Sequence, residues 1–364
     1  MRYKTAMGLL FASVVAVFAT GAMLHVARPI ARRIGLTDTP GGRKVHAEPV
    51  PLVGGISIFF GFCLALLVAG IPLGSLRALI AGSGLLLVVG VLDDFRELSP
   101  RSRFMAQIVA ALVMYLWGQV YLAEFGNLFG LGSLTLGWLA LPISVFCVVG
   151  VVNALNMADG VDGIASSAVL ICVAGMGFLQ WTATGTLPAH LLLLEACVAA
   201  FWLANAGIVF RGPARVFLGD GGSLFLGFVI AWHLVRLSQG DSSRVIAPVT
   251  ALWLFALPLL DTVYVMLRRL RSGMSPFSGG RDHLHHLFLN AGLSPRQTLL
   301  WYVTVMGFMS LVGIWTQVAG WPEWLSFGLF LCTAAGYWRA LDQCWNSRTL
   351  WGRHFVAEQE HTTR

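Results

Sequence analysis

The sequence predicts an all-α membrane protein, a polytopic bundle of about 10–11 transmembrane helices with one polar site facing the cytoplasm. Three observations support this prediction: an apolar composition, apolar stretches of bilayer-spanning length, and an uneven distribution of lysine and arginine between the loops. Of 364 residues, 57% are hydrophobic and only 11% are charged. Soluble domains carry roughly 25% charged residues, so lipid must solvate most of the outer surface of this chain.

Apolar stretches of about 17–22 residues, the length that crosses a bilayer, recur along the whole chain. The first follows Arg2 and Lys4, as in a signal peptide, but its length and the many spans after it favour a retained helix. The prediction is one integral membrane domain over residues 1–364, with a cytoplasmic tail at 340–364. The eleven spans lie near residues 6–27, 52–70, 76–92, 104–122, 134–152, 164–183, 187–209, 216–236, 245–267, 298–318 and 324–341.

The positive charges predict the orientation of these spans. Nineteen of the 24 lysines and arginines fall in the C-terminal tail and in the loops after spans one, three, five, seven and nine. Because positive loops stay in the cytoplasm, the N-terminus is predicted to lie outside and the C-terminus inside. This loop bias also explains the net charge of +7 without nucleic acid as a partner. Most acidic residues lie on the same side, although carboxylates contribute little to insertion, which indicates one cytoplasmic polar site.

The segment GVLDDFRELSPRSR carries two adjacent carboxylates, Asp93 and Asp94, directly after an apolar span. At a membrane edge such a pair is costly unless a cation or a substrate proton compensates it. Neighbouring side chains diverge by about 100° on a helix. The two residues are therefore predicted to divide the work, one acting on a substrate and the other holding a cation or a lysine. The alternative is the start of a solvated loop.

The segment NALNMADGVDGIASS, residues 153–167, carries a polar side chain at every third position, with glycines between them. On a helix these side chains would share one face, whereas the glycines indicate a turn that leads into the next helix. Such a turn presents backbone N–H groups and carboxylates together, which suits a nucleotide. A helix-capping loop is the alternative, but it needs one such residue rather than four. The residues are Asn153, Asn156, Asp159 and Asp162, with Gly160 and Gly163.

The segment VFLGDGGSLFLG, residues 216–227, places Asp220 among glycines where an apolar helix begins. Its carboxylate is the hard oxygen ligand that Mg²⁺ prefers, because this ion keeps several waters and binds few protein oxygens. Phe217 is close enough to stack on a nucleotide base, although packing in the membrane is the simpler explanation for that side chain.

The segment RRLRSGMSPFSGGRDHLHHLF, residues 268–288, combines an arginine with three closely spaced histidines, which suits anionic oxygens. A transition-metal site is the alternative, but no cysteine lies nearby and the carboxylates elsewhere favour Mg²⁺. The arginines at the start of the segment are interpreted as topology anchors. The anion-binding candidates are Arg281, His283, His285 and His286, and the anchors are Arg268, Arg269 and Arg271.

Three further positions have two explanations each. The segment TDTPGGRKVHAEPVPLVGG, residues 37–55, places Asp38 near Lys44 and other cations, so it either binds phosphate or is an ordinary cytoplasmic loop. Glu195 lies within an apolar span, where it is either protonated or paired inside the bundle. Asp261, in PLLDT, either lines the site or satisfies a neighbouring helix.

Five segments, taken in order, resemble those of the polyprenyl-phosphate N-acetylhexosamine-1-phosphate transferases: PLVGGI, LDDF, NMADGVDG, FLGDGGS and MSPFS…HLHH. The resemblance covers about residues 30–300. It is greatest to the WecA-type branch, whose members start O-antigen and related glycans. The related MraY branch, which makes peptidoglycan lipid I, has a different histidine segment.

The resemblance implies a reaction in which N-acetylglucosamine-1-phosphate passes from UDP-N-acetylglucosamine to undecaprenyl phosphate, with release of UMP. It also implies Mg²⁺, or Mn²⁺ as a substitute, on Asp220, Asp94 and Asp159. The catalytic residues would be Asp93, Asp94 and Asp220. Asp93 would engage the lipid phosphate as a base or orienter during direct in-line attack on the sugar-bearing β-phosphorus, with a covalent enzyme intermediate as the open alternative.

The remaining candidates are expected to bind the substrates. The 153–167 segment would hold uridine near the metal, an aromatic ring would stack on uracil, and the histidine segment would bind the sugar phosphate or the N-acetyl sugar. These candidates are Asp38, Lys44, Asn156, Asp159, Asp162, Phe217, Arg281, His283, His285 and His286. The implied partners are undecaprenyl phosphate and a UDP-N-acetylated amino sugar in the bacterial inner membrane, and a homodimer is left open.

A transporter or a scaffold protein would be expected to show a different arrangement of polar residues. A transporter for an anionic solute should show repeated halves and charges near the middle of the membrane, whereas these motifs do not repeat and most acidic residues lie at one edge. A scaffold would not need so many one-sided Asp, Asn and His residues. Within the enzyme class, the alternative donors are a UDP-linked N-acetylated 6-deoxyhexosamine and the muramoyl-pentapeptide donor.

Overall fold

Helices form almost all of the regular structure in a computed structural model, which describes residues 2–38, 49–206, 216–240, 244–276, 280 and 282–346. Two short strands, β1 (Thr37–Asp38) and β2 (Val50–Pro51), pair antiparallel. The described helices are α1 (Arg2–Ile34), α2 (Gly54–Val68), α3 (Arg77–Arg96), α4 (Pro100–Leu116), α5 (Ala140–Ala158), α6 (Ile164–Thr184), α7 (Ala189–Asn205), α8 (Gly219–Ser238), α9 (Pro248–Leu254), α10 (Ala256–Arg271), α11 (Leu284–Asn290), α12 (Pro295–Val318) and α13 (Glu323–Asn346).

Each predicted span overlaps a helix of the described residues, and the ninth overlaps the pair α9 and α10. On length and composition, six described helices can cross a membrane, or seven if that bent pair counts as one span. The helices α2 and α7 are apolar but shorter. Large apolar side chains on the outer helices are exposed, as lipid-facing residues must be. The prediction of an all-α, polytopic membrane protein is confirmed.

The ninth span is broken. The axes of α9 and α10 differ in direction by 82°. Pro258 accounts for the position of the break, because it has no N–H to donate to the carbonyl of Leu254 and its ring would clash with that carbonyl in a continuous helix. The first helix of the pair accordingly ends at Leu254.

The helix α8 lies at the centre of the bundle, and 94% of its most apolar 18-residue window is buried. It is in backbone contact with α3 and α2, because a Cβ on Gly90 would overlap Gly221 and a Cβ on Gly55 would overlap Gly222. Small residues permit such close approach between membrane helices. The contacts bring the C-terminal end of α3 to the N-terminal end of α8, and we call this end of the bundle the polar end.

A short backbone ladder fixes the start of α2 against the start of α8. The N–H of Phe217 donates to the carbonyl of Pro51 at 2.9 Å, and the N–H of Gly54 donates to the carbonyl of Phe217 at 2.9 Å. The N–H of Gly55 then donates to Leu218 at 3.0 Å. These bonds satisfy N–H groups in the first turn of α2, which have no partner within the helix.

Candidate active site

Acidic side chains from two helices and one turn meet at the polar end. Asp93 and Asp94 lie in the last turn of α3, and Asp220 lies in the first turn of α8. Asp159 is the residue that directly follows α5, and Asp162 lies in the turn before α6. The fold therefore brings together carboxylates that are up to 127 residues apart in sequence.

Asp94 holds the N-terminus of α8. Its Oδ1 accepts the backbone N–H of Asp220 at 3.0 Å, and its Oδ2 accepts the backbone N–H of Gly221 at 3.4 Å. A carboxylate at this position satisfies N–H groups that lack a helical partner and is favoured by the helix dipole. Gly219 permits the approach, because it has a φ of +77° and a Cβ there would lie 2.7 Å from Oδ2 of Asp94. The bonds fix the position of Asp220, and metal ligation by Asp94 stays a prediction.

Asp93 is buried and held by two donors. Its Oδ1 accepts the backbone N–H of Leu98 at 2.6 Å, and its Oδ2 accepts Nη1 of Arg103 at 2.9 Å. The same Nη1 lies 3.9 Å from Oδ2 of Asp220, so Arg103 stands between two carboxylates. Arg103 was not among the predicted site residues. The only sequence signal for its role was its position in the first turn of α4, a helix that begins at Pro100 after the N-cap Ser99.

Asn156 orients the carboxylate of Asp220. Its Nδ2 donates to Oδ1 of Asp220 at 2.7 Å and to Oγ of Ser223 at 2.8 Å. The side chain of Asp220 is 35% exposed, whereas that of Asp93 is 4% exposed. Asp220 is therefore the better placed of these two carboxylates to meet a ligand.

The carboxylates at the polar end raise the free-energy cost of ionising one another. Burial raises the pKa of Asp159 well above its ordinary value, and the charges of Asp220, Asp162 and Asp94 raise it further. Like charges at close range disfavour the ionised form. A bound cation would relieve this repulsion.

The turn between α5 and α6 is tied to two other segments. Gly163 has a φ of +86°, and its N–H donates to Oδ1 of Asn205 at 2.7 Å. The Nδ2 of Asn205 donates to the carbonyl of Val216 at 2.9 Å, just before α8. Asn205 is a second residue that the motifs did not indicate, because it lies alone at the end of an apolar helix.

The histidine segment packs against this turn. The ring of His285 lies directly over Gly160, where a Cβ would overlap Nε2. Its ring is parallel to that of His283, with centroids 5.9 Å apart, and 4.2 Å from that of His286. Both nitrogens of His285 are buried without a hydrogen-bond partner in the described part of the chain. Burial lowers the pKa of His285 well below its usual value, and the charges of His286 and His283 lower it further, so this imidazole is neutral.

The other candidates occupy the edge of the site or fall outside the described residues. Phe217 is half-buried beside the start of α8, and Asp38 lies in β1 opposite Val50. Lys44 and Arg281 lie outside the described residues. Arg269, predicted as a topology anchor, is 2% exposed and donates from Nε to Oδ2 of Asp282 at 3.1 Å. It therefore also anchors the loop that precedes the histidines.

The donor atoms at the polar end fit Mg²⁺ better than a transition metal. No group of three acidic, histidine or cysteine side chains in the described residues has the spacing of a complete metal site. Mg²⁺ does not need one, because it takes one or two carboxylates and keeps several waters. Asp220, which is partly exposed beside other carboxylates, offers that kind of oxygen. A thiolate or imidazole cage, which softer metals prefer, is not formed by the described residues.

Fold and site together define a polytopic membrane protein with a cluster of acidic side chains at one end of its helix bundle. Residues 76–238 match the family described as "Glycosyl transferase family 4".

Proteins of three bacteria are similar over most of their length, and each is named "Undecaprenyl-phosphate alpha-N-acetylglucosaminyl 1-phosphate transferase". The protein of Yersinia pestis is 36% identical over 326 residues, or 89% of each chain. That of Escherichia coli K12 is 35% identical over 90% of this chain and 89% of its own. That of Haemophilus influenzae is 36% identical over 91% of this chain and 93% of its own. The chain belongs to the family of polyprenyl-phosphate N-acetylhexosamine-1-phosphate transferases, which confirms the resemblance seen in its motifs.

Proposed function

We propose that this protein transfers N-acetylglucosamine-1-phosphate from UDP-N-acetylglucosamine to undecaprenyl phosphate, giving undecaprenyl-diphospho-N-acetylglucosamine and UMP. The observation that carries the proposal is the meeting of the family's acidic, amide and histidine segments at one end of an apolar bundle. The names of relatives that align with 89–91% of the chain support the same reaction. Such a reaction would begin O-antigen or a related cell-surface polysaccharide.

The reaction must bring two phosphate-bearing anions together, so positioning and charge neutralisation are its chief needs. Mg²⁺, or Mn²⁺ in its place, would neutralise charge on the pyrophosphate when bound at Asp220 with neighbouring carboxylates such as Asp94 or Asp159. Asp94 holds the first turn of α8, and Asn156 holds Oδ1 of Asp220. These bonds support a carboxylate that is oriented before substrate arrives.

The lipid phosphate is the nucleophile. Its second pKa lies near 6, so it is already largely dianionic at neutral pH and does not need a strong base. Asp93 is bound by Arg103 and by the N–H of Leu98, which favours the role of orienter over that of base. One phosphate oxygen forms a bond to the sugar-bearing phosphorus while the bond from that phosphorus to the UMP oxygen breaks. Arg103, between Asp93 and Asp220, is placed to bind phosphate oxygens.

Nucleotide and sugar would lie between the turn after α5 and the histidine segment. Asp159 and Asp162 would hold uridine near the metal, with Phe217 against uracil. The histidines, with Arg281, would bind the sugar phosphate or the N-acetyl group, while Lys44 would neutralise a phosphate and Asp38 would border the site. The neutral ring of His285 suits a hydrogen bond to an uncharged sugar better than an ion pair.

The proposed setting is the bacterial inner membrane, with the polar end in the cytoplasm. Nineteen of the 24 lysines and arginines support this orientation, because they lie in the predicted cytoplasmic loops and tail. The N-terminus would then be outside and the C-terminus inside.

The test uses detergent-purified protein, undecaprenyl phosphate, Mg²⁺ and a panel of labelled UDP-sugars. Lipid-linked label with equimolar UMP is expected from UDP-N-acetylglucosamine. The variant Asp220→Asn should lose about 100-fold or more in turnover while its melting temperature changes little, because a group that stabilises transition-state charge is removed. Preference for an N-acetylated 6-deoxyhexosamine or the muramoyl-pentapeptide donor would correct the substrate. No product from any donor would refute the proposal.

A further inference from the structure

A buried hydrogen-bond network joins α10, α11 and α13 beside the histidine segment. At its centre is Asp261, which is 2% exposed. Its Oδ2 lies 2.8 Å from Nδ1 of His283. Its Oδ1 accepts the backbone N–H of Leu284 at 3.0 Å and the hydroxyl of Tyr337 at 2.9 Å. One carboxylate thus contacts a ring nitrogen and a backbone N–H from two consecutive residues, and a phenol from a distant helix.

The three contacts determine which nitrogen of His283 carries hydrogen. A carboxylate with three donors around it acts only as an acceptor, so Nδ1 of His283 must be the N–H that faces it. Nε2 is then the ring nitrogen that is left for a substrate. Tyr337 donates to the other carboxylate oxygen, so that the orientation of Asp261 does not depend on His283 alone.

Asp261 also fixes the backbone at this point. The helix α11 begins at Leu284, and the side chain of His283 makes no cap bond to its N-terminus. Asp261 supplies that cap from another helix, because its Oδ1 accepts the N–H of Leu284. The ring of His283 and the backbone N–H of the next residue, Leu284, are therefore held by the same carboxylate.

The network reaches the acidic residues through ring packing. His283 is parallel to His285 within 2°, and His285 lies against Gly160 in the turn that carries Asp159 and Asp162. Because His285 lies directly over Gly160, a change in its packing against His283 would alter its contact with that turn.

We propose that Asp261, supported by Tyr337, is a positioning residue of the transferase that sets the tautomer and orientation of His283 for the bound sugar phosphate. The inference rests on the proposed function. Of the two explanations that the sequence left open for Asp261, it favours a part in the site. It also gives α13, which lies beyond the family match at residues 76–238, a part in positioning the site.

The chain contains a matched control for this network. The hydroxyl of Tyr264 donates to Oδ1 of Asp342 at 2.8 Å, and this pair joins the same two helices, α10 and α13. The chemistry of the bond, a phenol on a carboxylate, is also the same. Loss of either bond should lower stability to a similar extent, whereas only loss of the Tyr337 bond should affect His283.

The experiment compares Asp261→Asn, Tyr337→Phe and the control Tyr264→Phe in the full-length protein. For each variant, kcat, the KM for UDP-N-acetylglucosamine and the melting temperature are measured. An amide at 261 would donate to Nδ1 and force the other tautomer, so turnover should fall about 10- to 100-fold, the usual cost of losing the partner of a functional histidine. Tyr337→Phe should lower turnover several-fold. Tyr264→Phe should keep kcat within about twofold of the wild-type value, although its melting temperature should change by about as much as that of Tyr337→Phe.

A second comparison distinguishes action through His283 from general support of the fold. If Asp261 acts through that ring, adding Asp261→Asn to a His283→Asn background should lower turnover by less than about threefold, because coupled residues are not additive. Equal losses in both backgrounds, or wild-type kcat in Asp261→Asn and Tyr337→Phe, would overturn the inference while the transferase activity stands. A wild-type protein that is inactive with every UDP-amino sugar would overturn the proposed function and this inference with it.

Discussion

At the scale of single residues, Arg103 is a cation that lies between two carboxylates of the acidic cluster. It pairs with Asp93, whose side chain is 4% exposed, at 2.9 Å. Removing one partner of a buried pair leaves an uncompensated charge, which costs roughly 3–5 kcal/mol when both are buried. Because Arg103 is 33% exposed, we expect Arg103→Met to lower the free energy of unfolding by less, about 2 kcal/mol, and to lower turnover. Thermal unfolding and the transferase assay would measure both.

The matched control is Arg101→Met, an exposed arginine in the same turn of α4, which should change neither quantity. Adding Asp93→Asn to Arg103→Met removes both charges, so the melting temperature should recover although turnover does not. If the double variant melts no higher than Arg103→Met alone, the pair is not what stabilises this turn.

Residue types and motif order were enough to predict which carboxylates lie together at the polar end. Asp94, Asn156 and Asp220 lie in motifs with several polar residues inside an otherwise apolar sequence, and those residues are in contact. The partners that hold them were not predictable in this way. Arg103 has the same sequence pattern as any loop arginine, and Asn205 stands alone, so only the folded backbone reveals their contacts.

At the scale of helices, the contact between α3 and α8 sets the distance between Asp94 and Asp220. A Cβ on Gly90 would overlap the backbone of Gly221, which is not free to move aside as a flexible side chain would. We expect Gly90→Ala to separate the helices and to lower both turnover and melting temperature. The overpacking should lower the free energy of unfolding by about 1–3 kcal/mol.

The control for that prediction is Gly84→Ala on the same helix, where a Cβ would make an ordinary contact of 3.6 Å with Phe59. Alanine favours a helix by about 1 kcal/mol over glycine, so this variant should be neutral or slightly more stable. A Gly90→Ala protein with wild-type turnover would show that the glycine contact does not set the site.

Helix positions followed from apolar length alone, because a span of about 20 residues must be helical in lipid. The break between α9 and α10 was missed, since the apolar run continues through Leu254 and Phe255 without interruption. Pro258 was the available signal, but a proline can kink a membrane helix as well as break it. Its effect at this position, a bend of 82°, depends on how the neighbouring helices pack.

At the scale of the whole molecule, the distribution of charge predicts the orientation of the bundle in the membrane. A green fluorescent protein fused after Arg364 should fluoresce, because the C-terminus is predicted to be cytoplasmic, while alkaline phosphatase at the same point should be inactive. As a control, the same reporters fused after Ser133, in the loop between α4 and α5 at the opposite end, should give the reverse result. The same activity pattern at both points would contradict the topology, and with it the cytoplasmic site.

The acidic cluster should make the stability of the whole protein depend on pH and on Mg²⁺. The pKa of Asp159 is raised in the folded state, by burial and then by the charges of Asp220, Asp162 and Asp94. A raised carboxyl pKa means that the folded state binds its proton more tightly than the unfolded state does. The resulting stabilisation is complete below the ordinary pKa of 3.8 and is lost as pH rises through the folded value.

In EDTA, the melting temperature should therefore fall as pH rises above that ordinary value, and Mg²⁺ should restore it most at the alkaline end, where the carboxylates are ionised. Asp159→Asn should flatten the pH dependence and reduce the effect of Mg²⁺. Asp342→Asn, which removes a carboxylate outside the cluster, should retain both. Identical profiles for Asp159→Asn and wild type, with and without Mg²⁺, would mean that charge repulsion at the polar end does not limit stability and that the cation is held elsewhere.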